Sequence, residues 1–134
     1  MSPELQNKLI NTYPKQFQNI KHIECEDGWY DLLDKLFYIV QMQLDKNTKL
    51  NQSDSFFSWN QIKEKFGGLR AYSYGADDYI RGAIELAESM SYTICEFSGE
   101  KGKLRKQRLG DNGEPIFAWR KTLSDKEAEK DGYL

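Results

Sequence analysis

The sequence predicts an α+β fold: a small antiparallel sheet, built on a central β-hairpin, packed against two amphipathic helices. Three observations predict it. Apolar residues recur at three- and four-residue steps from Trp29 to Leu44, and again from Tyr79 to Met90. Between those stretches two apolar runs flank Gly67-Gly68, the pattern of a hairpin. The order helix, hairpin, helix places the helices on one face of the sheet.

In chain order, residues 3–20 carry weak helical spacing at Leu5, Leu9, Ile10, Tyr13, Phe17 and Ile20, with Pro14 interrupting or restarting any helix. Asp27 and Gly28 open the first strong helix, with Asp27 as its N-cap and Trp29, Leu32, Leu33, Leu36, Phe37, Val40 and Leu44 as its apolar stripe. The polar run 45–55 reads as a loop. Residues 56–74 read as the hairpin, its double glycine supplying the positive φ of a tight turn. Its first arm alternates imperfectly, which suggests a bulge. Asp77 can cap the second helix, with Tyr79, Ile80, Ala83, Ile84, Ala87 and Met90 facing the core. Residues 93–97 read as a short strand, Asp111-Asn112-Gly113 as a turn, and 116–123 as a strand. Residues 124–134 read as a short polar helix or frayed tail capped by Ser124.

The 134 residues suit one domain, because two cores would each be too small to close. The net charge of −2 argues against a generally basic nucleic-acid binder and leaves room for a local basic patch. No run approaches the roughly 20 apolar residues of a membrane span. The first residues lack the apolar core of a signal peptide. Two cysteines, Cys25 and Cys95, are too few for a disulfide framework and suggest a reducing, cytoplasmic setting. No membrane partner is expected.

Three segments carry a resemblance: residues 24–30 with Asp27-Gly28-Trp29, residues 62–70 with the run IKEKFGGLR, and residues 95–123. Together, over about residues 22–124, the chain resembles a widespread family of small bacterial and phage proteins of unestablished function. Many members end in a zinc-ribbon-like knuckle, Cys-x-x-Cys-Gly followed by Trp-x-x-Thr-Leu-Cys and a His or Cys. Here Ser98 and Ser124 stand where the second and third cysteines would be, and no His or Cys follows. A structural zinc needs about four nitrogen or sulfur ligands, so no metal and no cofactor are expected. A metal-free knuckle hairpin is, with Phe97, Ile116, Phe117 and Trp119 as packing. The expected division within the single domain is 1–21 N-terminal helical segment, 22–92 helix–hairpin–helix core, 93–124 degenerate knuckle and 125–134 polar tail.

Candidate chemistry follows from residue types. Lys63, Lys65 and Arg70 flank Gly67 and Gly68, where backbone N–H groups and a guanidinium fork can clamp an anion. The competing reading is a solvated hairpin end with Glu64 as partner. Period-two alternation puts Tyr72 and Tyr74 on the strand face of Arg70, where they could stack on a base. Asp27 and Trp29 are further candidates for ribose or base contacts, against helix capping for Asp27 and core packing for Trp29. Glu24, Glu26 and Asp27 form an acidic cluster that could hold a cation or simply favour a helix N-terminus. Lys101, Lys103, Arg105, Lys106 and Arg108 put five cations in eight residues, either a phosphate-contacting patch or a solvated loop. No aromatic lies among them, which weakens a stacking mode for single strands. His22 has no nucleophile in a recognisable motif beside it, and no catalytic residue is assigned.

Three functional readings result. The first is a non-catalytic binder of an anionic, nucleotide-like ligand, which the family's phage setting extends to sequestering an immune signalling nucleotide as counter-defence. The second is a protein-interaction module of inhibitor or immunity type, docking on a host or phage protein. The third is a nucleic-acid binder through residues 101–121, which carry seven basic and two acidic side chains. Exposed strand edges in so small a sheet also suggest a homodimer.

Overall fold

The computed structural model describes residues 1–50 and 56–134. Its elements are α1 (Pro3–Thr12), 3₁₀ turns at Pro14–Gln16 and Asp27–Trp29, α2 (Tyr30–Lys49), β1 (Ser58–Lys65), β2 (Gly68–Tyr74), α3 (Asp78–Ser91), β3 (Lys103–Leu109), β4 (Pro115–Leu123) and α4 (Asp125–Lys130). The fold is α+β. β1 and β2 form one antiparallel sheet and β3 and β4 a second. No helix among the described residues is long and apolar enough to cross a membrane.

α2 begins later and ends later than its spacing suggests. Asp27 is not an N-cap: it lies inside the 3₁₀ turn, and its Oδ1 accepts the Ser2 N–H at 2.7 Å. Residues 45–49 are helical rather than loop; 51–55 lie outside the described residues. The extension has a tertiary cause. Asn47 is buried, and its amide and that of Gln43 both donate to Asp77 Oδ2 at 3.0 Å. Asp77 Oδ1 meanwhile caps α3 by accepting the Ile80 N–H at 2.8 Å, as its position suggested. Burial alone would push the Asp77 carboxyl up, but these hydrogen bonds outweigh it and hold its pKa below the ordinary value.

The hairpin turn sits one residue earlier than the double glycine implies. Lys65 pairs with Gly68, so Phe66 and Gly67 are the two turn residues, with φ of 53° and 85°. Positive φ at both is the type I′ requirement. Gly68 is packed against the outer end of the Tyr92 ring, which a Cβ there would displace. The suspected bulge is present, between Trp59 and Gln61.

At several positions the first sheet's edges are covered from within the chain. The Glu24 N–H donates to Ile62 O and the Glu64 N–H to Glu24 O along β1. On β2, Ser91 Oγ and Glu88 Oε2 accept the Leu69 and Ala71 N–H groups, each at 2.9 Å. In the second sheet the C-terminal tail lines β3, through Leu109 N–H to Gly132 O and Leu134 N–H to Gln107 O. The outer side of β4 is bonded at Thr122, whose carbonyl accepts the Glu96 N–H at 3.0 Å.

The main core joins Leu9, Tyr13 and Phe17 to Trp29, Leu33, Phe37, Trp59, Ile62, Leu69 and Ile80. Phe37 meets Phe17 edge-on at 5.1 Å and Trp59 at 5.4 Å. Tyr79 and Met90, expected in the core, are exposed beside the α2–α3 groove. One buried polar side chain organises the core. Gln16 donates to Phe37 O and accepts the Trp59 indole N–H, both at 2.9 Å. Gln16→Leu would leave the buried Trp59 indole N–H without an acceptor. The expected cost is about 2 kcal/mol or more, readable as a lower urea midpoint at unchanged m-value.

Residues 93–97 are not a strand. Ile94 makes only an isolated bridge to Lys101, and the chain turns back on itself at 95–99. A smaller core of Cys95, Leu123, Ala128 and Tyr133 holds α4 and the tail, so 125–134 is docked rather than frayed. Ser124 caps α4 as expected, accepting the Glu127 N–H.

Candidate functional site

At the glycine turn the fold buries the two glycines and leaves Lys63, Lys65 and Arg70 on the open face of the first hairpin. Gly67 and Gly68 are buried where the two hairpins meet. The Gly67 N–H donates to Glu64 Oε2 at 2.7 Å, and the Gly67 carbonyl accepts the Thr122 hydroxyl at 2.7 Å. The chain's own carboxylate thus fills the position an anion would take. Arg70 and Lys63 are directly paired across the hairpin. The Arg70 guanidinium is held by Leu69 O at 2.8 Å and Tyr92 Oη at 3.1 Å. The bond to Tyr92 is the main reason its pKa rises above the ordinary value. Lys65 is exposed, with Nζ 5.6 Å from the Phe66 ring centre.

Arg70, Tyr72 and Tyr74 do alternate onto the open face of β2. The tyrosines line a cleft shared with Glu85 and Glu88 rather than with the cations. Trp29 is no ligand contact: it is wholly buried, and its indole N–H donates to Ile94 O at 2.9 Å. Glu24 joins the β1 edge and receives the Gln61 amide. Burial pushes the Cys25 thiol up to about 12, which makes it an inert core residue.

The chain turns tightly at Cys95, where the Gly99 N–H donates to Cys95 O at 2.9 Å. Cys95 Sγ accepts the Ser98 N–H at 3.4 Å. Burial pushes this thiol up, yet hydrogen bonds from Ser98, Ser124 and Phe97 outweigh it and set its pKa below the ordinary value. Ser98 and Ser124 therefore do gather round Cys95. One thiol and two hydroxyls do not fit a structural zinc, and the Ser124 hydroxyl is already the α4 cap. Next to it, Glu96 is buried and accepts the Glu26 N–H at 3.1 Å.

The basic run 101–108 lies mainly on β3, and its charges are unequal in status. Arg105 pairs with Asp125 at 2.7 Å and donates to Leu123 O. Arg108 and Lys121 share Asp131, at 3.6 and 2.8 Å. Lys101, Lys103, Lys106 and Arg120 have no ion pair among the described residues.

Cross-strand pairing brings aromatics beside this run, which chain order conceals. Gln107 faces Phe117 across the hairpin. Phe117 is 87% exposed and Trp119 57% exposed, so neither is the packing residue expected. Ile116 is half exposed as well. Trp119 stacks on Phe66 from the first hairpin, ring centres 5.2 Å apart and planes 32° apart. Its indole N–H reaches Glu64, the same carboxylate that holds the turn. Phe66, Ala118, Trp119 and Arg120 border a shallow hollow of about 410 Å³.

Phe66 is the one described non-glycine residue with positive φ. That conformation costs a side-chain-bearing residue about 1–2 kcal/mol, and Asn is the ordinary occupant. The sequence signal was available: an aromatic before Gly67, where a turn former belongs.

No family model, no curated protein and no solved structure matches the chain.

Proposed function

We propose that this chain is a non-catalytic interaction module. Its docking surface is the aromatic platform of Phe66, Phe117 and Trp119, and its partner is a protein presenting an apolar pocket with an acidic rim. The observation that carries the reading is Phe66. An aromatic ring is kept at a strained turn position, half exposed and stacked on an exposed tryptophan. Strain of this kind collects at functional sites. Exposed Trp119 and Arg120 on β4 match the composition of protein-binding hot spots. The cations without ion pairs, Lys101, Lys103, Lys106 and Arg120, supply the positive rim that an acidic partner would complement. A second copy would present the same positive face to itself and is the weaker occupant. The resemblance to the bacterial and phage family belongs to this proposal too, supported by the tight turn at Cys95.

The test is capture of a stoichiometric partner by the wild-type chain, compared with Phe117→Ala/Trp119→Ala. Each truncated hot-spot ring is expected to weaken binding about 30-fold, with the melting temperature within a few degrees of wild type. Phe66→Asn is a sharper variant. It relieves the turn strain while losing one ring stack, so stability should hold within about 1 kcal/mol while binding drops. A partner still held by the double variant sinks the proposal. Loss of the partner on nuclease treatment would point to nucleic acid. A dimer that dissociates in the variants would point to self-pairing along β4. Stabilisation by linear or cyclic nucleotides, lost in Arg70→Ala, would favour the nucleotide reading.

A further inference from the structure

A second surface, independent of the hairpin platform, has the makings of a small-molecule site. β2 and α3 diverge beyond Ala71 and leave a cleft of about 680 Å³, within the ordinary range for ligand pockets. One wall is aromatic: Tyr72 and Tyr74 from β2, and Phe56, whose ring centre lies 6.2 Å from that of Tyr74. The other wall is the face of α3 carrying Arg81, Glu85 and Glu88 at helical spacing.

The charges decide the ligand class. Arg81 pairs with Asp78 at 2.8 Å, one turn back on α3. Glu85 has no ion pair among the described residues. Glu88 uses Oε2 to accept the Ala71 N–H, and Oε1 makes no hydrogen bond among the described residues. Arg70 lies further along β2, tied to Leu69 and Tyr92, and does not line the cleft. The cleft is therefore aromatic on one side and carboxylate on the other, with its single cation already paired. A phosphate placed there would face Glu85 and Glu88. No group of three or more His, Cys, Asp or Glu side chains that could hold a metal ion occurs among the described residues. A soft organic cation suits both walls: ring faces attract it by cation–π interaction, and carboxylates pair with it through charged hydrogen bonds.

We infer that the β2–α3 cleft binds an organic cation, a guanidinium or alkylammonium group, between Tyr72 and Tyr74 on one side and Glu85 and Glu88 on the other. Arginine or lysine side chains of a peptide and free polyamines share this chemistry.

The test titrates the full chain with spermidine, with N-acetylarginine amide and with AMP, following backbone amide shifts at moderate salt. Either cation should shift the amides of residues 71–76 and 84–88 saturably, and AMP should not. Which cation binds tighter separates a polyamine from a peptide side chain. Glu85→Gln/Glu88→Gln keeps an acceptor for the Ala71 N–H, and Tyr74→Leu alters an exposed ring, so both variants should fold. Each should weaken the cation about tenfold. The inference is overturned if neither cation shifts those amides. It also fails if folded variants bind the cation as wild type does, or if AMP occupies the cleft instead.

Discussion

Gly28→Ala is expected to lower folding stability by about 4 kcal/mol, enough to leave a marginally stable chain largely unfolded. Gly28 lies where the segment before α2 crosses the turn at 95–99. Its N–H donates to Glu96 O at 2.7 Å. A Cβ there would overlap Cys95 O and Glu96 O, both backbone atoms that no rotamer change can move. The two segments would have to separate. That would break the Gly28 bond, the Glu26 N–H bond to Glu96, and the Trp29 indole bond to Ile94 O. Each contributes about 1 kcal/mol, and partial exposure of Trp29 adds a similar amount or more. Gly82→Ala is the matched control. A Cβ on Gly82 meets nothing within 4 Å in the middle of α3, so that variant should gain about 0.5–1 kcal/mol. Urea denaturation of both variants reads the contrast directly. A Gly28→Ala chain as stable as wild type would mean that the crossing is not as close as described.

The same crossing explains what could be read from the sequence and what could not. Periodicity located α2, the first hairpin and α3, because the signal of each is local, one apolar side along a continuous run. Asp77 and Ser124 were legible as caps for the same reason. Residues 45–49 were not legible as helix, since what holds them is Asn47 and Gln43 reaching Asp77 some thirty residues away. Gly67 and Gly68 look alike in sequence, yet only the first has positive φ, while the second lies against the Tyr92 ring. The candidate site suffered most. Lys63, Lys65 and Arg70 do share the open face of the first hairpin, but Gly67 and Gly68 are buried by contacts distant in the chain, from the second hairpin and Tyr92. Phe66 and Trp119 are 53 positions apart and meet only because β3–β4 folds back on the turn. No local pattern encodes such a pair. Arg70, Tyr72 and Tyr74 were placed correctly on one face, because that needs only the period of a strand.

Glu96→Gln is expected to make the protein more stable at pH 8 by roughly 3 kcal/mol and to leave it unchanged at about pH 4. Burial pushes the Glu96 carboxyl from 4.5 up to about 7, and the nearby Glu64 and Glu26 charges push the same way. The Glu26 N–H bond and the Lys121 charge oppose them without prevailing. A carboxyl raised in the folded state is one the fold prefers protonated. Below pH 4.5 both states are protonated and the group is neutral to stability. As pH climbs towards 7 the unfolded chain releases its proton first, so wild-type stability falls across that window. Glutamine can still accept the Glu26 N–H and has no proton to lose, so the variant should lack this share of the slope. The measurement is urea denaturation of both chains at intervals from pH 4 to 8. Parallel curves would show that Glu96 titrates normally. The position gives the result its interest. Glu64, whose charge bears on Glu96, also holds the Gly67 N–H and the Trp119 indole. Two carboxylates are thus kept near one another at the joint between the hairpins, at a cost in stability above neutral pH. One of them orients the ring that forms the proposed docking surface. If that surface is the reason, Glu96→Gln should gain stability and keep partner binding, while Glu64→Gln should loosen Trp119 and weaken it.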